Sequence, residues 1–272
     1  ETLPYTSWSS MGADCADLNN DGRLDFMSAD MAATTHYKAK VTMGDMGDRR
    51  WFLENAWPRQ AMRNTVFLNT GTDRFQEVAF LTGLAGTDWT WAVKLADFDN
   101  DTRVDVFVTN GSSRMTTDAD SPVNPGMLIG RTEWDIWKDK PALKEQNLAF
   151  RNEGDLRFSN QSTAWGLDHV GISYSAAHGD LDGDGDLDLV VANLDEPVSI
   201  YRNRGRDQHR VTIELRGTSS NRAGIGAVVR LQTASDGPQI RQMNPATGFL
   251  SSNEPIIHFG LGASTTIKKL SV

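Results

Sequence analysis

Three short acidic segments constrain the fold of this chain more than any other feature of its sequence. The most acidic one runs from Asp180 to Asp188 and has an aspartate at every second position, with Gly183 and Gly185 between them. Like charges ~4 Å apart repel each other by ~1–4 kcal/mol per pair unless a cation neutralises them. Glycine allows a positive φ, so alternate side chains can converge on one point. Because oxygen ligands on a tight loop suit calcium, the segment predicts a Ca²⁺ site.

The same pattern occurs twice more, so the chain has loop one (17–25), loop two (97–105) and loop three (180–188). Each loop places oxygen-bearing side chains at positions 1, 3, 5 and 9, and this repetition disfavours the alternative of solvated acidic turns without metal. We expect those side chains, with the backbone carbonyl at position 7 (Arg23, Arg103 and Asp186), to bind about three Ca²⁺ ions. The expected ligands are Asp17, Asn19, Asp21, Arg23 and Asp25; Asp97, Asp99, Asp101, Arg103 and Asp105; and Asp180, Asp182, Asp184, Asp186 and Asp188.

An EF-hand is the main alternative for such loops, because positions 1, 3 and 5 match it. That motif also requires a bidentate Glu at position 12 and a helix on each side. Position 12 is Ser28, Val108 or Val191 here, and the residues after each loop form short apolar or β-branched runs. Such runs predict strands, so each loop is expected to join two strands of a hairpin.

The spacing of the repeats predicts the architecture. The loops start about 80 residues apart, and each is followed by an Asn-x-Gly turn at Asn69, Asn152 or Asn203. The first two units carry insertions at about 31–62 and 112–147; without them the repeat is about 50 residues, enough for four strands. Four-stranded repeats of this length are typical of β-propeller blades. We therefore predict an all-β chain that contains a partial propeller.

The sequence changes character after Gly205. Alternating segments such as Arg210–Leu215 and Ala227–Leu231 predict half-buried strands, and no acidic loop follows. We predict propeller blades over residues 1–206 and a small sandwich- or barrel-like β domain over residues 207–272.

Charge and hydropathy narrow the class of protein. The chain has 272 residues and a formal net charge of −9, whereas binding to nucleic acid calls for a basic face. Three Ca²⁺ ions would bring the net charge to about −3, so much of the acidity is expected to be ligand. No apolar run approaches the ~18–20 residues of a membrane span. Glu1 begins the sequence without a Met or a signal peptide, as we expect of a mature or truncated product.

Half of the eight tryptophans lie in the two insertions, as Trp51, Trp57, Trp134 and Trp137. Loops on a rigid scaffold often carry binding, and aromatic side chains are good anchors for a protein or glycan partner. The alternative, in which these tryptophans attach the insertions to the blades, stays open. The sequence offers no Gly-x-Ser-x-Gly elbow, no phosphate loop and no zinc spacing among its histidines, so no catalytic residue is predicted.

The acidic loops and the small-residue strands before them resemble FG-GAP/VCBS repeats of integrin-α-like propellers, over about residues 5–205. The tail resembles an ASPIC/UnbV domain in three segments, 221–227, 248–252 and 258–262. The combination is similar to the cartilage acidic protein 1 group, bacterial type. The resemblance implies a seven-bladed type of propeller with further blades outside this chain, Ca²⁺ in the blade loops and export to the periplasm, cell surface or medium. Thr102 departs from the glycine that the family prefers.

The leading hypothesis is a non-enzymatic, exported Ca²⁺-binding scaffold for adhesion or for interaction with a protein or glycan. One alternative is a calcium-dependent polysaccharide-active enzyme or its carbohydrate-binding module. Another is a structural subunit of a larger cell-surface assembly.

Overall fold

The computed structural model of the chain describes residues 2–42, 54–120, 123, 125–205, 208–234 and 237–272. The helices within these ranges are α1 (His36–Thr42), α2 (Ala79–Thr82) and α3 (Glu133–Trp137), and a 3-10 turn covers Pro125–Leu128. The strands are β1 (Tyr5–Ser7), β2 (Gly12–Ala16), β3 (Asp25–Ala29), β4 (Met31–Ala32), β5 (Arg59–Ala61), β6 (Thr65–Asn69), β7 (Phe75–Glu77), β8 (Asp88–Ala96), β9 (Asp105–Asn110), β10 (Glu145–Gln146), β11 (Leu148–Asn152), β12 (Phe158–Asn160), β13 (Val170–Gly171), β14 (Ser173–Gly179), β15 (Asp188–Asn193), β16 (Ser199–Tyr201), β17 (His209–Ile213), β18 (Val228–Thr233), β19 (Pro238–Gln242), β20 (Ile257–Gly262) and β21 (Ile267–Ser271).

Three antiparallel sheets follow one another along the chain and form three blades. Blade one has the strand order β2-β3-β6-β7, blade two has β8-β9-β11-β12 with β4 beside β8, and blade three has β14-β15-β16. The first strands of the blades, β2, β8 and β14, are neighbours, so the sheets stand side by side around one edge. The fold is all-β and partly propeller-like, which confirms the predicted fold class.

Each acidic loop joins the first strand of its blade to the second, so all three loops lie at the same end of the blades. The flanking elements are strands, which excludes the EF-hand. The predicted insertions, 31–62 and 112–147, fall between the second and third strands of blades one and two, where α1 and α3 also lie.

The cores lie between the blades. Val66, Leu84 and Val106 belong to a buried cluster between blades one and two, and Phe107 and Val191 to another between blades two and three. All six residues of β9 are buried, and its apolar residues Val106, Phe107 and Val108 follow one another because both faces of this strand pack against a core. Complete burial of one such side chain contributes about 1.5–3 kcal/mol, so these clusters fix each blade against the next.

The Asn-x-Gly turns also tie neighbouring blades together. The Asn152 side-chain amide donates a hydrogen bond to the Leu18 carbonyl oxygen of loop one, at 2.9 Å. Asn203 donates likewise to the Phe98 carbonyl oxygen of loop two, at 2.7 Å. Each turn therefore holds its own blade against the acidic loop of the preceding blade.

The tail forms two small sheets, β17-β20 and β19-β18-β21, around a core that includes Leu231 and Phe259. It packs against the first strands of the blades. The buried Lys94 ammonium on β8 donates hydrogen bonds to the Thr247 carbonyl oxygen at 2.9 Å and to Asn253 Oδ1 at 3.0 Å. Burial lowers the pKa of Lys94 to about 8, although the charge of Asp14 opposes that shift.

Candidate metal centres

The aspartate at position 1 shapes each loop by accepting backbone hydrogen bonds. In loop two, Asp97 Oδ1 accepts from the N–H of Asp101 at 3.0 Å, and Oδ2 accepts from the N–H of Thr102 at 2.9 Å. Asp17 of loop one accepts the equivalent bonds, whereas Asp180 of loop three accepts from the N–H groups of Gly183 and Gly185, at positions 4 and 6. These bonds curl the loop around the first carboxylate.

The aspartate at position 9 closes each loop onto its blade. Asp105 accepts from the N–H of Phe98 at 3.0 Å and from the N–H of Asn152, on the third strand, at 2.9 Å. The equivalent residues of loops one and three make the same two bonds. Hydrogen bonds from backbone N–H groups therefore hold the carboxylates at positions 1 and 9 in place without a bound ion.

Positive φ angles at positions 4 and 6 allow the turn, which is the role predicted for the glycines. The residues are Asn20 (56°), Asn100 (60°) and Gly183 (76°) at position 4, and Gly22 (83°), Thr102 (81°) and Gly185 (89°) at position 6. Thr102 thus adopts the backbone of a glycine despite its branched side chain, which is an unfavourable conformation.

The side chains at positions 1, 3 and 9 converge in two of the loops. In loop two, one carboxylate oxygen each of Asp97, Asp99 and Asp105 lies within 4.8 Å of the others, and all three residues are buried. Loop three brings Asp180, Asp182 and Asp188 together in the same way, but Asp182 is exposed. Acidic clusters with this geometry are able to bind a metal ion.

Loop one lacks a third converging carboxylate in the described part of the chain, because its position 3 is Asn19. The Asn19 amide donates to Asp21 Oδ2 at 3.0 Å. Asp17 and Asp25 are nevertheless buried like their counterparts, and burial raises the pKa of Asp25 to about 6. The expected ligand set of loop one remains a prediction.

The acids at position 5 lie outside these two clusters and form ion pairs. Asp101 contacts Arg103 and also Arg151 Nη2, the latter at 2.8 Å. Asp184 lies 3.5 Å from Arg202 Nη2, and Asp21 pairs with Arg23. The expectation that position 5 supplies a metal ligand stays untested.

Two arginines, Arg151 on β11 and Arg202 just after β16, were not predicted as site residues. Arg151 Nε lies 2.6 Å from Asp99 Oδ2, so this arginine bridges positions 3 and 5 of loop two. Arg202 pairs in the same way with Asp182 and Asp184 of loop three. The signal was present in the sequence, since both residues precede the asparagine of an Asn-x-Gly turn, whereas blade one has Leu68 there.

Burial makes the charges of loop two costly. Loss of hydration raises the pKa of Asp97 to about 7, and nearby Asp101 and Asp99 raise it further while Arg241 opposes the shift. Burial likewise raises the pKa of Asp105 well above its usual range, with Asp97 adding to the effect. Converging carboxylates with this electrostatic strain are stabilised by a cation.

Unpaired oxygens in loop two test whether a cation fits. Among the described residues, no group donates a hydrogen bond to the buried Asp99 Oδ1 or to the adjacent Asn100 Oδ1. A buried carboxylate oxygen without a partner is rare, and here it belongs to the converging cluster. The donor set is all oxygen, so the residues present fit a calcium ion.

The tail covers loop two. Gly260 on β20 lies so close that a Cβ there would be 2.1 Å from Asp97 Oδ2, and the Gly262 N–H donates to the Asn100 carbonyl oxygen at 2.9 Å. The side chain of Asp186, in loop three, instead contacts Arg210 Nε of the tail at 2.9 Å. The tail therefore contacts two acidic loops directly.

The insertion tryptophans predicted to meet a partner have different exposures. Trp57 is 74% exposed and Trp134 is 62% exposed, whereas Trp137 is half-buried. Trp51 lies outside the described residues. The partner itself remains a prediction.

Comparisons with known proteins agree with this architecture. The family described as FG-GAP-like repeat matches residues 55–108 and 180–229, which include loops two and three. The family described as ASPIC and UnbV matches residues 217–272. The all-β fold, the FG-GAP-like repeats and the ASPIC/UnbV domain inferred from the sequence are thereby confirmed.

Curated relatives are distant and longer. The chain is 26% identical over 255 residues to cartilage acidic protein 1 of Xenopus tropicalis and, over the same length, to that of Homo sapiens. Each alignment covers 92% of this chain and 31% of the relative. The Mus musculus protein is 30% identical over 171 residues, or 61% of this chain and 23% of the relative. The chain thus spans about a third of the length of the first two relatives.

Among the described residues, no helix combines the length and the apolar character that crossing a membrane requires.

Proposed function

We propose that this chain, which carries FG-GAP-like repeats and an ASPIC and UnbV domain, is an exported, non-enzymatic scaffold stabilised by calcium at its blade loops. The observation that supports calcium binding most directly is the buried cluster of Asp97, Asp99 and Asp105, with its unpaired carboxylate oxygen. The equivalent cluster of loop three supports a second site.

The side chains have separate tasks in this proposal. Positions 1 and 9 curl the loop and close it onto the third strand, while position 3 completes the converging set. A bound divalent cation supplies the positive charge that three converging carboxylates require. Arg151 and Arg202 each pair with the carboxylates at positions 3 and 5, so the clusters hold less net negative charge than the number of aspartates indicates.

Calcium titration tests the proposal. Extracellular sites of this kind often have Kd values of ~10⁻⁴–10⁻³ M. At ~1 mM calcium each site would then add roughly 0.4–1.4 kcal/mol to the free energy of unfolding. We expect isothermal titration calorimetry on EDTA-treated protein to show binding, and the melting temperature to rise with calcium. Identical melting curves in calcium and in EDTA, with no heat of binding, would refute the proposal.

Substitutions localise the sites. Asp99→Asn and Asp182→Asn should each remove one binding event, whereas Asn19→Asp should strengthen binding at loop one by supplying a third carboxylate. Asp155→Asn is the matched control, because Asp155 is 90% exposed and lies outside the loops. This control should bind calcium like the parent protein.

The scaffold role rests on the blades and on the insertions that project from them. We propose that a protein or glycan partner binds the exposed Trp57 and Trp134. Export and an extracellular or periplasmic location belong to the same proposal, because free calcium is high enough there to fill sites of this affinity. Binding of the Trp134→Phe variant to a glycan or protein array, read by fluorescence and compared with binding of the parent protein, tests the contact.

An acidic and basic cluster on the insertion side does not favour catalysis. The Lys38 ammonium contacts both Asp88 and Glu145. Asp88 Oδ1 accepts two further hydrogen bonds from Thr34, and Glu145 Oε2 accepts one from the Trp89 N–H. Every carboxylate oxygen of the cluster thus has a partner, which suits a role in holding the first insertion against blade two.

A further inference from the structure

A groove opens between blades two and three at their outer edge. It has a volume of about 360 Å³, and its walls include Phe98, Trp165 and Leu167 from blade two. Leu189 and Tyr201 form the opposite wall on blade three. The groove is mainly apolar and continues the buried core between these two blades.

The same place between blades one and two is filled. The walls there are the residues at equivalent repeat positions, Leu18, Leu84 and Val106, which are at most 2% exposed. Leu156 and Phe158, from the hairpin and fourth strand of blade two, pack against them. The chain therefore contains an occupied version of the groove.

Blade three lacks the element that does this filling. In blade two, β12 pairs with β11 so that Phe158 lies opposite Asn152. In blade three the sheet ends at β16, and no strand in the described ranges pairs with its outer side. The chain turns instead into β17, which pairs with β20 of the tail.

The charges at the rim differ in a matching way. Glu153, at the start of the blade-two hairpin, lies 3.5 Å from Arg151, whose side chain is 26% exposed. Arg204 takes the place of Glu153 in blade three, and the side chain of Arg202 is 66% exposed. The rim of the open groove therefore has Arg204 where the filled groove has the acid Glu153, while Arg202 already pairs with Asp182 and Asp184 of loop three.

We propose that this groove binds an extended segment of a partner polypeptide, which completes blade three as its fourth strand. The segment would carry two bulky apolar residues two positions apart, the second one aromatic, as Leu156 and Phe158 are, and an acidic residue that meets Arg204. Strand addition supplies affinity through the backbone and specificity through alternate side chains. The proposal rests on the proposed scaffold function and gives that scaffold a class of partner.

A peptide that copies residues 153–161 of this chain is the probe. Fluorescence anisotropy with the labelled peptide and the whole chain should show saturable binding. A peptide with Phe158→Ser should bind at least about tenfold more weakly, because a buried aromatic anchor dominates such contacts. Trp165→Ala should weaken binding by a similar factor, whereas Trp134→Ala, an exposed tryptophan on the second insertion, should not.

Hydrogen exchange gives a readout that does not depend on a variant. Bound peptide should slow exchange of backbone N–H groups in residues 199–205 and leave those of blade one unchanged. Absence of binding up to about 1 mM peptide, or binding without protection of this segment, overturns the proposal. So does concentration-dependent dimerisation that protects the same segment, since the occupant would then be a second copy. A negative result would leave calcium titration unaffected, so the two proposals fail separately.

Discussion

Loop two and loop three share a sequence pattern but lie in different surroundings. Loop three has five aspartates and two glycines, while loop two has four aspartates and a threonine at position 6. In the folded chain, however, the three converging carboxylates of loop two are all buried, whereas Asp182 of loop three is exposed. The more regular motif is therefore the less buried one.

The difference comes from contacts that are distant in sequence. Strand β20 of the tail passes over loop two, with Gly260 against Asp97 and Asn100. Loop three meets the tail through Arg210 and through His258 Nε2, 3.2 Å from the Gly185 carbonyl oxygen. Burial makes unneutralised charge more costly, so loop two is expected to depend more on a cation than loop three.

The largest expected effect is a difference in the free energy of unfolding between alanine variants of the two position-9 aspartates, Asp105 and Asp188. Asp105→Ala leaves the N–H groups of Phe98 and Asn152 without acceptors in a buried site, at a cost of about 3–5 kcal/mol in the free energy of unfolding. Asp188 is also buried, but the residues that donate to it, Leu181 and Asn203, are more exposed than Phe98 and Asn152. Asp188→Ala therefore breaks the same two bonds at a smaller cost of about 1–3 kcal/mol. Urea denaturation in calcium measures both. Equal losses would mean that the burial of loop two has no energetic consequence.

The next largest effect is expected on the pH dependence of folding stability in the absence of metal. The pKa of Asp97 is about 7 in the folded chain against an ordinary 3.8, so the folded state holds a proton that the unfolded state releases. The corresponding stability is complete below about pH 4 and is lost as pH rises to about 7. In EDTA, the melting temperature should therefore fall over this window, and Asp97→Asn should flatten the fall.

Calcium and loop three provide the controls for that measurement. Calcium should reduce the fall, because the cation favours the ionised carboxylate. Asp180→Asn, at the equivalent position of loop three, should change the slope less than Asp97→Asn does, since Asp180 is only partly buried. A slope that is the same in the parent and in Asp97→Asn would contradict the assignment.

A smaller effect should follow from moving the tail away from loop two. A methyl group at Gly260 would lie 2.1 Å from Asp97 Oδ2 and 2.6 Å from the Asn100 backbone, so Gly260→Ala must displace β20 at a cost of about 1–3 kcal/mol. Calcium binding at loop two should weaken in parallel, while binding at loop three should change less. Gly237→Ala, with no atom within 4 Å of the new methyl group, is the matched control.

The fold was predictable because its signals are local and repeated. The period of the acidic loops, the apolar runs after them and the Asn-x-Gly turns each predict strands within a few residues. The same repetition predicted blades, and the structure confirms them. What local signals do not give is the number of strands in each blade, since blade three ends at β16 without a fourth strand in the described ranges.

The convergence of the side chains at positions 1, 3 and 9 was predictable in loops two and three, but the environment of these side chains was not. Positions 1, 3 and 9 converge in loops two and three, as their alternation indicates. The arginine partners of positions 3 and 5 come from strands about 20–50 residues later, and the burial of loop two comes from the tail. No pattern within a nine-residue loop carries that information. The sequence therefore does not indicate that loop two, which has fewer aspartates than loop three, is the more deeply buried of the two.

The smallest expected effect isolates position 6, the one place where the loop-two motif itself is weaker. Thr102 has a φ of 81°, close to the 83° of Gly22 and the 89° of Gly185. A β-branched residue in this region is strained by about 1 kcal/mol or more, although Thr102→Gly also frees the unfolded backbone and removes a buried methyl group. We expect a net gain of at most about 1 kcal/mol for Thr102→Gly, because these terms oppose each other. Gly22→Thr is the reciprocal change, and its new Cβ meets no atom of the described residues within 4 Å, so we expect backbone strain to dominate and a loss of about 1–2 kcal/mol. Chemical denaturation of the two variants decides the point: if Gly22→Thr costs nothing, the threonine of loop two is not strained, and its burial alone must account for any difference in calcium affinity from loop three.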